Sequence, residues 1–129
     1  GLTKGQPSPS SPEGTRTKVS PEGSSEAPLN ATLMALSYGA SFVARLFAGD
    51  PESIADALVQ GIRHRGFSFF HLYTSCVTFD KTFKTWDRLK AQTHPLPREH
   101  EPGNLKQALN EALDDPYSMG ILYQREKGK

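Results

Sequence analysis

Apolar positions are spread unevenly along this chain. Over residues 1–23 only Leu2 and Val19 are sizeable apolar side chains, set among Pro, Ser, Gly, Thr and Lys. Pro7, Pro9, Pro12, Pro21 and Pro28 each lack an amide donor and restrict the residue before them. The pattern predicts loop over 1–28, with the composition of a disordered segment. Periodicity begins at Leu29. Leu29, Leu33 and Leu36 sit at helical spacing behind Asn30, a plausible N-cap, and before Gly39. SFVARLF at 41–47 alternates and is rich in aromatic and branched residues, so it predicts a strand. Asp50, Pro51 and Glu52 form a helix start: a cap, a pre-set φ and a carboxylate at the positive end of the dipole. Ile54, Ala55, Leu58, Val59 and Ile62 make an apolar stripe, expected to face the core. Arg63, His64 and Arg65 place cations at the helix C-terminus, and Gly66 supplies the stop.

FSFFHLYT at 67–74 is nearly continuously apolar and predicts a buried strand. Strand, helix and strand in that order predict a βαβ unit with parallel neighbours and a right-handed crossover. Ligand sites on such sheets lie just past the C-terminal ends of the strands. There the sequence places Ser75-Cys76-Val77-Thr78-Phe79-Asp80. A short helix is expected from Thr82 to Lys90 around Trp86, followed by a Pro-broken loop over 93–103. Asn104 then caps a helix carrying Leu105, Ala108, Leu109, Ala112 and Leu113 on one face, ended by Asp114-Asp115-Pro116. MGILYQ at 119–124 predicts a last strand, and 125–129 should fray.

Composition narrows the picture. With 129 residues there is material for one ordinary domain, and without the opening stretch roughly 100 residues remain to build a core. Apolar residues are 36%, with 11 glycines and 10 prolines, which points to a modest core and long loops. A formal net charge of +1 offers no electrostatic field for nucleic acid or membrane. No apolar run approaches the roughly 20 residues that span a bilayer, and no secretory leader is evident. The single cysteine excludes an internal disulfide framework, so a reducing, cytoplasmic setting is expected. A starting Gly without Met has two readings: processing, or the end of a longer chain.

Three groups of residues could carry chemistry. GLTKGQPSPS at 1–10 offers backbone amides, hydroxyls and one cation, a phosphate-friendly mixture, but the P-loop spacing is absent; the alternative is a solvated flexible segment. Cys76 as a nucleophile would need a base, and His64, His71, His94 and His100 have no spacing that argues for a dyad. As a metal ligand it would need partners from outside this chain. The histidines lack zinc-site spacing. Trp86 with Phe67, Phe69 and Phe70 reads as core or interface packing, and Lys81, Lys84 and Arg88 as a solvated helix face. On these grounds alone, a small α/β interaction module with a disordered N-terminal arm explains the chain as well as an enzyme does.

Two stretches read together change that balance. GLTKGQPSPSSPEG at 1–14 resembles the GLTKGQ-x-SPT loop of 2-oxoacid:ferredoxin oxidoreductase β subunits, and SCVTFDK at 75–81 resembles their CVTFN segment. GASFVARLFAGDP at 39–51 and the closing MGILYQ are similar to further family stretches, in family order. The resemblance covers essentially the whole chain. It implies an α/β fold, the C-terminal part of a three-layer thiamine-diphosphate-binding domain with a mainly parallel sheet. Residues 1–75 would be the end of that domain, with 1–28 as its cofactor and substrate loop, and 76–129 the C-terminal region of the β subunit.

The activity implied is oxidative decarboxylation of a 2-oxoacid, 2-oxoglutarate favoured over pyruvate, to acyl-CoA and CO₂ with reduction of ferredoxin. The cofactors implied are thiamine diphosphate, Mg²⁺ and a [4Fe–4S] cluster; the partners are an α subunit, ferredoxin, the 2-oxoacid and coenzyme A. In the family the Gly-Asp-Gly and Asn metal ligands and three cluster cysteines lie upstream of this loop. Carried over by position, Gly1, Leu2, Thr3, Lys4, Gly5, Gln6 and Ser8 fall on the cofactor loop. Leu2 would pack on the cofactor's reactive face. Lys4 would meet substrate carboxylate or coenzyme A phosphate as a mobile point charge. Cys76 falls on the fourth cluster ligand. Ser10 stands where the family has Thr and keeps the hydroxyl; Asp80 stands where it has Asn and adds a negative charge.

Overall fold

The computed structural model describes residues 5–78 and 81–125. The chain forms two compact units, Gly1–Ala31 and Thr32–Lys129. The described part of the first runs as turns without helix or regular strand up to Asn30, as the prolines dictate. It is nonetheless internally bonded. Thr17 and Ser20 exchange both backbone hydrogen bonds across Lys18-Val19, at 3.1 and 3.3 Å. Behind that turn Gly14 N–H donates to Ser24 O at 2.7 Å, and Ser24 N–H donates to Thr15 O at 3.0 Å. The result is a narrow hairpin with too few ladder bonds to count as a sheet.

The second unit carries the regular elements. Helix α1 (Ala31–Ser37) begins just after Asn30. It ends in a Schellman arrangement: Gly39 N–H donates to Leu36 O, Ala40 N–H to Ala35 O, and Gly39 takes φ +87. Strand β1 (Phe42–Phe47), helix α2 (Pro51–Arg63) and strand β2 (Ser68–Tyr73) form the expected βαβ unit, with β1 and β2 parallel and in register from Phe42↔Ser68 to Phe47↔Tyr73. Helix α3 (Lys84–Gln92) starts two residues later than its periodicity suggests, after Phe83 in the left-handed region. Helix α4 (Leu105–Asp114) is capped by Asn104, which accepts from Gln107 N–H at 3.2 Å. The loop over 93–103 contains a two-residue strand, β3 (His94–Pro95). Strand β4 (Ser118–Gln124) runs antiparallel to β1 and parallel to β3. The sheet order is β2-β1-β4-β3. Two of its three pairings are parallel, in keeping with an α/β fold.

The fold corrects two sequence expectations. Strand β2 is half-buried rather than buried, because it lies at the edge of the sheet and Leu72 faces out at 45% exposure. The stripe Ile54, Ala55, Leu58, Val59, Ile62 is not the core face of α2. Ala57 and Gly61 are buried instead, with Ile54 partly so, while Ile62 is 80% exposed. The reason is steric. Phe42 and Phe70 stand up from the sheet at 5.6 Å centroid separation, and a Cβ on Gly61 would lie 2.2 Å from the Phe70 ring. Bulk comes from the sheet, so the helix must be small where it lands. The same holds for α4, where Ala108 and Ala112 are buried and Leu113 is exposed.

The most central polar group is Arg45, in the middle of β1 and 1% exposed. Its Nε donates to Ser118 O at 2.9 Å, and its terminal nitrogen donates to Ser118 Oγ at 2.7 Å and to Asp115 O at 2.5 Å. The guanidinium therefore ties β1 to the turn between α4 and β4. Among the described residues no buried side-chain nitrogen or oxygen lacks a hydrogen-bond partner. Replacing Arg45 by Ala strands buried carbonyls and leaves a void, and should cost about 3 kcal/mol or more. Chemical denaturation of the purified protein carrying Arg45→Ala checks this; a loss under about 1 kcal/mol would show that the guanidinium does not hold the turn.

Candidate functional site

The C-terminal ends of β1 and β2 lie side by side, and Ala48 N–H donates to Tyr73 O at 2.9 Å just beyond them. This is where parallel strands present ligands. Past β2 the chain runs through Thr74 and Ser75 to Cys76, exposed on the loop before the Val77-Thr78 turn. Past β1 a cleft of about 170 Å³ opens between Leu46, Phe47, Asp50, Ser53, Thr93 and His94. Its polar groups hold its walls. Asp50 accepts from Ser53 N–H and Oγ–H as the cap of α2, Thr93 Oγ1 donates to Leu89 O, and Trp86 packs on Phe47 at 5.0 Å centroid separation.

A coupled polar group lies beneath. Burial pulls the Arg45 guanidinium below its usual range, opposed by Tyr73 and Asp115. Burial raises the Tyr73 hydroxyl, against the pull of Arg45. His71 Nδ1 pairs with Thr32 Oγ1 at 2.8 Å; burial, then the Arg45 charge, lowers its pKa and keeps the ring neutral. The other histidines are also committed: His64 Nε2 to Ser41 Oγ at 2.9 Å, His100 Nε2 to Leu122 O at 2.8 Å, and His94 to Gln92 O and Asp115. Their roles are structural; each fixes a loop or helix end to the sheet.

The sequence candidates are divided between the two units. Gly1, Leu2, Thr3, Lys4 and Asp80 lie outside the described residues. Gly5 takes φ +77, and a Cβ there would lie 2.7 Å from Lys18 Cβ, so the turn requires glycine. Gln6 is exposed. Ser8 Oγ accepts from Ser10 N–H and pairs with Ser10 Oγ at 3.0 Å, so the hydroxyl at position 10 is used in bracing the turn. Cys76 belongs to the other unit. Among the described residues no group of three or more His, Cys, Asp or Glu could hold a metal. A thiolate is the right donor for iron, and Cys76 is open to solvent, so the chain fits a cluster as the source of one ligand and not of a full set. Lys84 and Arg88 are exposed on α3 as expected, while Lys81 is exposed in the turn before the helix. Phe69 and Phe70 pack against the core, Trp86 is half-buried, and Phe67 is 64% exposed and so is not core. The cleft beyond β1 carries no signal in the sequence, since it depends on β3 and on residues brought together from positions 46 to 120. No helix of the described residues is long and apolar enough to cross a membrane.

Residues 76–129 match the family model for the C-terminal part of the pyruvate ferredoxin oxidoreductase beta subunit. The chain is 36% identical over 124 residues to 2-oxoglutarate synthase subunit KorB of Archaeoglobus fulgidus, covering 95% of this chain and 43% of that protein. It is 31% identical over 138 residues to the 2-oxoacid:ferredoxin oxidoreductase subunit beta of Sulfolobus sp, covering 98% of this chain and 45% of that one. Its fold matches a chain of 2-oxoglutarate:ferredoxin oxidoreductase from Magnetococcus marinus, a structure with 2-oxoglutarate, coenzyme A and succinyl-CoA bound. The TM-score is 0.88 and the identity 33%, over 99% of this chain and 44% of that chain. The chain thus spans less than half the length of these relatives.

The wall of the cleft carries a titratable pair. His94 Nδ1 faces Gln92 O at 2.9 Å and Nε2 faces Asp115 Oδ2 at 2.8 Å, so both ring nitrogens meet acceptors and the imidazolium is favoured. The Gln92 carbonyl, with help from Asp115, raises His94 above 6.5. Burial works against ionisation of Asp115, but the Tyr117 amide and His94 bring it below 3.8. A raised histidine stabilises below its unfolded pKa and loses that contribution as pH rises through its folded value. A lowered aspartate stabilises above its unfolded pKa and loses it as pH falls through its folded value. The pair is therefore fully effective between 3.8 and 6.5. At 50% side-chain exposure for His94 the gain is below about 1 kcal/mol. The destabilisation caused by His94→Gln should peak in that window and shrink above neutral pH. A pH-independent difference, measured by denaturation from acid to mildly alkaline pH, would refute the pairing.

Proposed function

The chain belongs to the 2-oxoacid:ferredoxin oxidoreductase β-subunit family, and we propose that it is the C-terminal part of such a subunit, serving oxidative decarboxylation of a 2-oxoacid to acyl-CoA and CO₂ with reduction of ferredoxin. The observation that carries this reading is a fold match at TM-score 0.88 over 99% of the chain, to a relative that bears 2-oxoglutarate and coenzyme A. The relatives named for 2-oxoglutarate favour that acid over pyruvate as substrate. Residues 1–75 then close the thiamine-diphosphate-binding domain and 76–129 form the C-terminal region, a division supported by where the family match begins. The subunit would work in the cytoplasm with an α subunit and with ferredoxin.

In this proposal the chain's residues bind and orient. When bound, thiamine diphosphate with Mg²⁺ supplies the electron sink for loss of CO₂, and a [4Fe–4S] cluster carries single electrons onward. Gly1, Leu2, Thr3, Lys4, Gly5, Gln6 and Ser8 line the cofactor loop. Gly5 lets the backbone turn where a side chain would strike Lys18. Ser8 holds the turn through Ser10. Leu2 shields the reacting centre from water, and Lys4 attracts the substrate carboxylate or a coenzyme A phosphate. Cys76 gives one thiolate to the cluster, and the remaining ligands come from other parts of the protein. The chain alone lacks a metal-binding set among its described residues, so activity is expected only from the assembled enzyme.

For the complete enzyme, Cys76→Ala should lower iron content and slow ferredoxin reduction at least tenfold. Unchanged iron and unchanged ferredoxin reduction would sink the ligand assignment. Lys4→Ala should raise KM for the 2-oxoacid or for coenzyme A about tenfold or more while the cluster spectrum stays intact; normal kinetics with both ligands would remove Lys4 from the site. The ratio of kcat/KM for 2-oxoglutarate to that for pyruvate decides the substrate, and a ratio below one would reverse the assignment.

A further inference from the structure

Cys76 stands past the C-terminal end of β2, and the opposite end of the sheet carries a separate group of residues. Arg63, His64 and Arg65 precede β2, and Gln124 pairs with Phe42 at the start of β1, so Arg125 sits at that same end. The strands are six residues long, which puts this region roughly 20 Å from the sheet end that bears Cys76. There an open depression of about 670 Å³ is lined by Gln60, Arg63, His64, Arg65, Gln124 and Arg125, with Pro102-Gly103 as its far wall. No carboxylate lines it among the described residues. The His94–Asp115 ion pair lies at the opposite end of the sheet.

The walls are fixed by hydrogen bonds that converge on Ser41. His64 leaves α2 in an extended conformation and pairs through Nε2 with Ser41 Oγ at 2.9 Å. Arg125 N–H donates to Ser41 O at 2.8 Å, and Gln124 N–H donates to Pro102 O at 2.8 Å. With His64 turned to Ser41, its neighbours Arg63 and Arg65 both stand exposed. A Cβ at Gly66 would lie 2.2 Å from Ser41 Oγ, so the crossing is tight as well as bonded. Cations near a helix C-terminus are ordinarily explained by the dipole. That explains Arg63 but not Arg125, which arrives from β4 to face the same depression. Three guanidinium forks around one rigid concavity suit an anion with several oxygens in fixed geometry.

We propose that this depression, at the sheet end opposite Cys76, is a ligand site that binds a small molecule carrying two or more linked phosphate groups. An acidic protein segment would need contact over a wider face than the depression offers, so the phosphate ligand is favoured. The test uses the purified enzyme saturated with thiamine diphosphate, coenzyme A and an excess of Mg²⁺, titrated with inorganic tripolyphosphate by calorimetry, in parallel with the Arg63→Gln/Arg65→Gln/Arg125→Gln variant. The expected result is a saturable class of sites, about one per chain, whose affinity falls at least tenfold in the variant while circular dichroism and cofactor content are unchanged. Single Arg125→Gln, remote from α2, should give a smaller loss in the same direction and covers a misfolded triple variant. Equal binding by wild type and Arg125→Gln, or no saturable binding in the wild type at millimolar tripolyphosphate, would overturn the proposal. So would arginine-dependent binding of a poly-glutamate peptide without binding of tripolyphosphate. Turnover is not part of the readout, so the outcome is independent of the proposed reaction.

Discussion

A buried positive charge organises the larger unit. Arg45 sits in the strand with neighbours on both sides, parallel β2 and antiparallel β4. Burying a guanidinium is costly unless every donor direction finds an acceptor. The acceptors come from Ser118 and Asp115, seventy or more residues away in sequence. Satisfying Arg45 therefore fixes where α4 must end and where β4 must start. That in turn sets the bulge in register between Val43 and Ala44 against β4, and brings β3 alongside Ser118 and Met119. The cleft beyond β1 exists because those strands meet there.

Packing follows a division of labour between sheet and helices. Phe42, Val43, Leu46 and Leu122 supply the bulk and are nearly or wholly buried, while α2 and α4 land on them through Ala57, Gly61, Ala108 and Ala112. Close-packed interiors allow only one partner to be large at each point. This leaves Leu58, Val59 and Ile62 on the outer side of α2 and Leu113 on that of α4. On α4 the stripe's small members Ala108 and Ala112, with Leu109, face the sheet, whereas on α2 only Ile54 of the stripe does, so the largest apolar residues of a helix do not by themselves mark its buried face.

The same contrast marks what the residue pattern can and cannot reveal. The caps at Asp50 and Asn104, the stop at Gly39 and the βαβ order are legible because each rests on contacts within a few residues or on chain order. Face and edge are not, because they depend on partners far along the chain. The period of the α2 stripe is right and its direction wrong, since Phe70 decides the direction. Strand β2 reads as buried because its composition is apolar, yet composition cannot say whether a strand has one neighbour or two. Strand β3 has two residues and no signal of its own; it is strand only by virtue of β4. Of the candidate site, the position of Cys76 past β2 is legible, because strand direction follows from the crossover rule. The cleft and the arginine-lined depression are invisible in sequence, each being assembled from segments that meet only in the fold.

Ser41 gives the two ends of the sheet different characters. At its end, one residue accepts from the Arg125 amide, pairs with His64 and crowds Gly66, so the helix end, the last strand and the crossing are mutually fixed. At the other end the chain leaves β2 into an exposed loop that carries the single cysteine, and the cleft walls hold themselves through Asp50, Thr93 and His94. Where hydrogen bonds already hold the backbone, as they do at Ser41, a ligand that met the side chains there would cost little further ordering of the chain. Past β2, among the described residues, no comparable set of bonds converges on one residue, and Cys76 stands exposed. The six-residue strands thus set Cys76 and the cluster of Arg63, Arg65 and Arg125 roughly 20 Å apart, at opposite ends of the sheet.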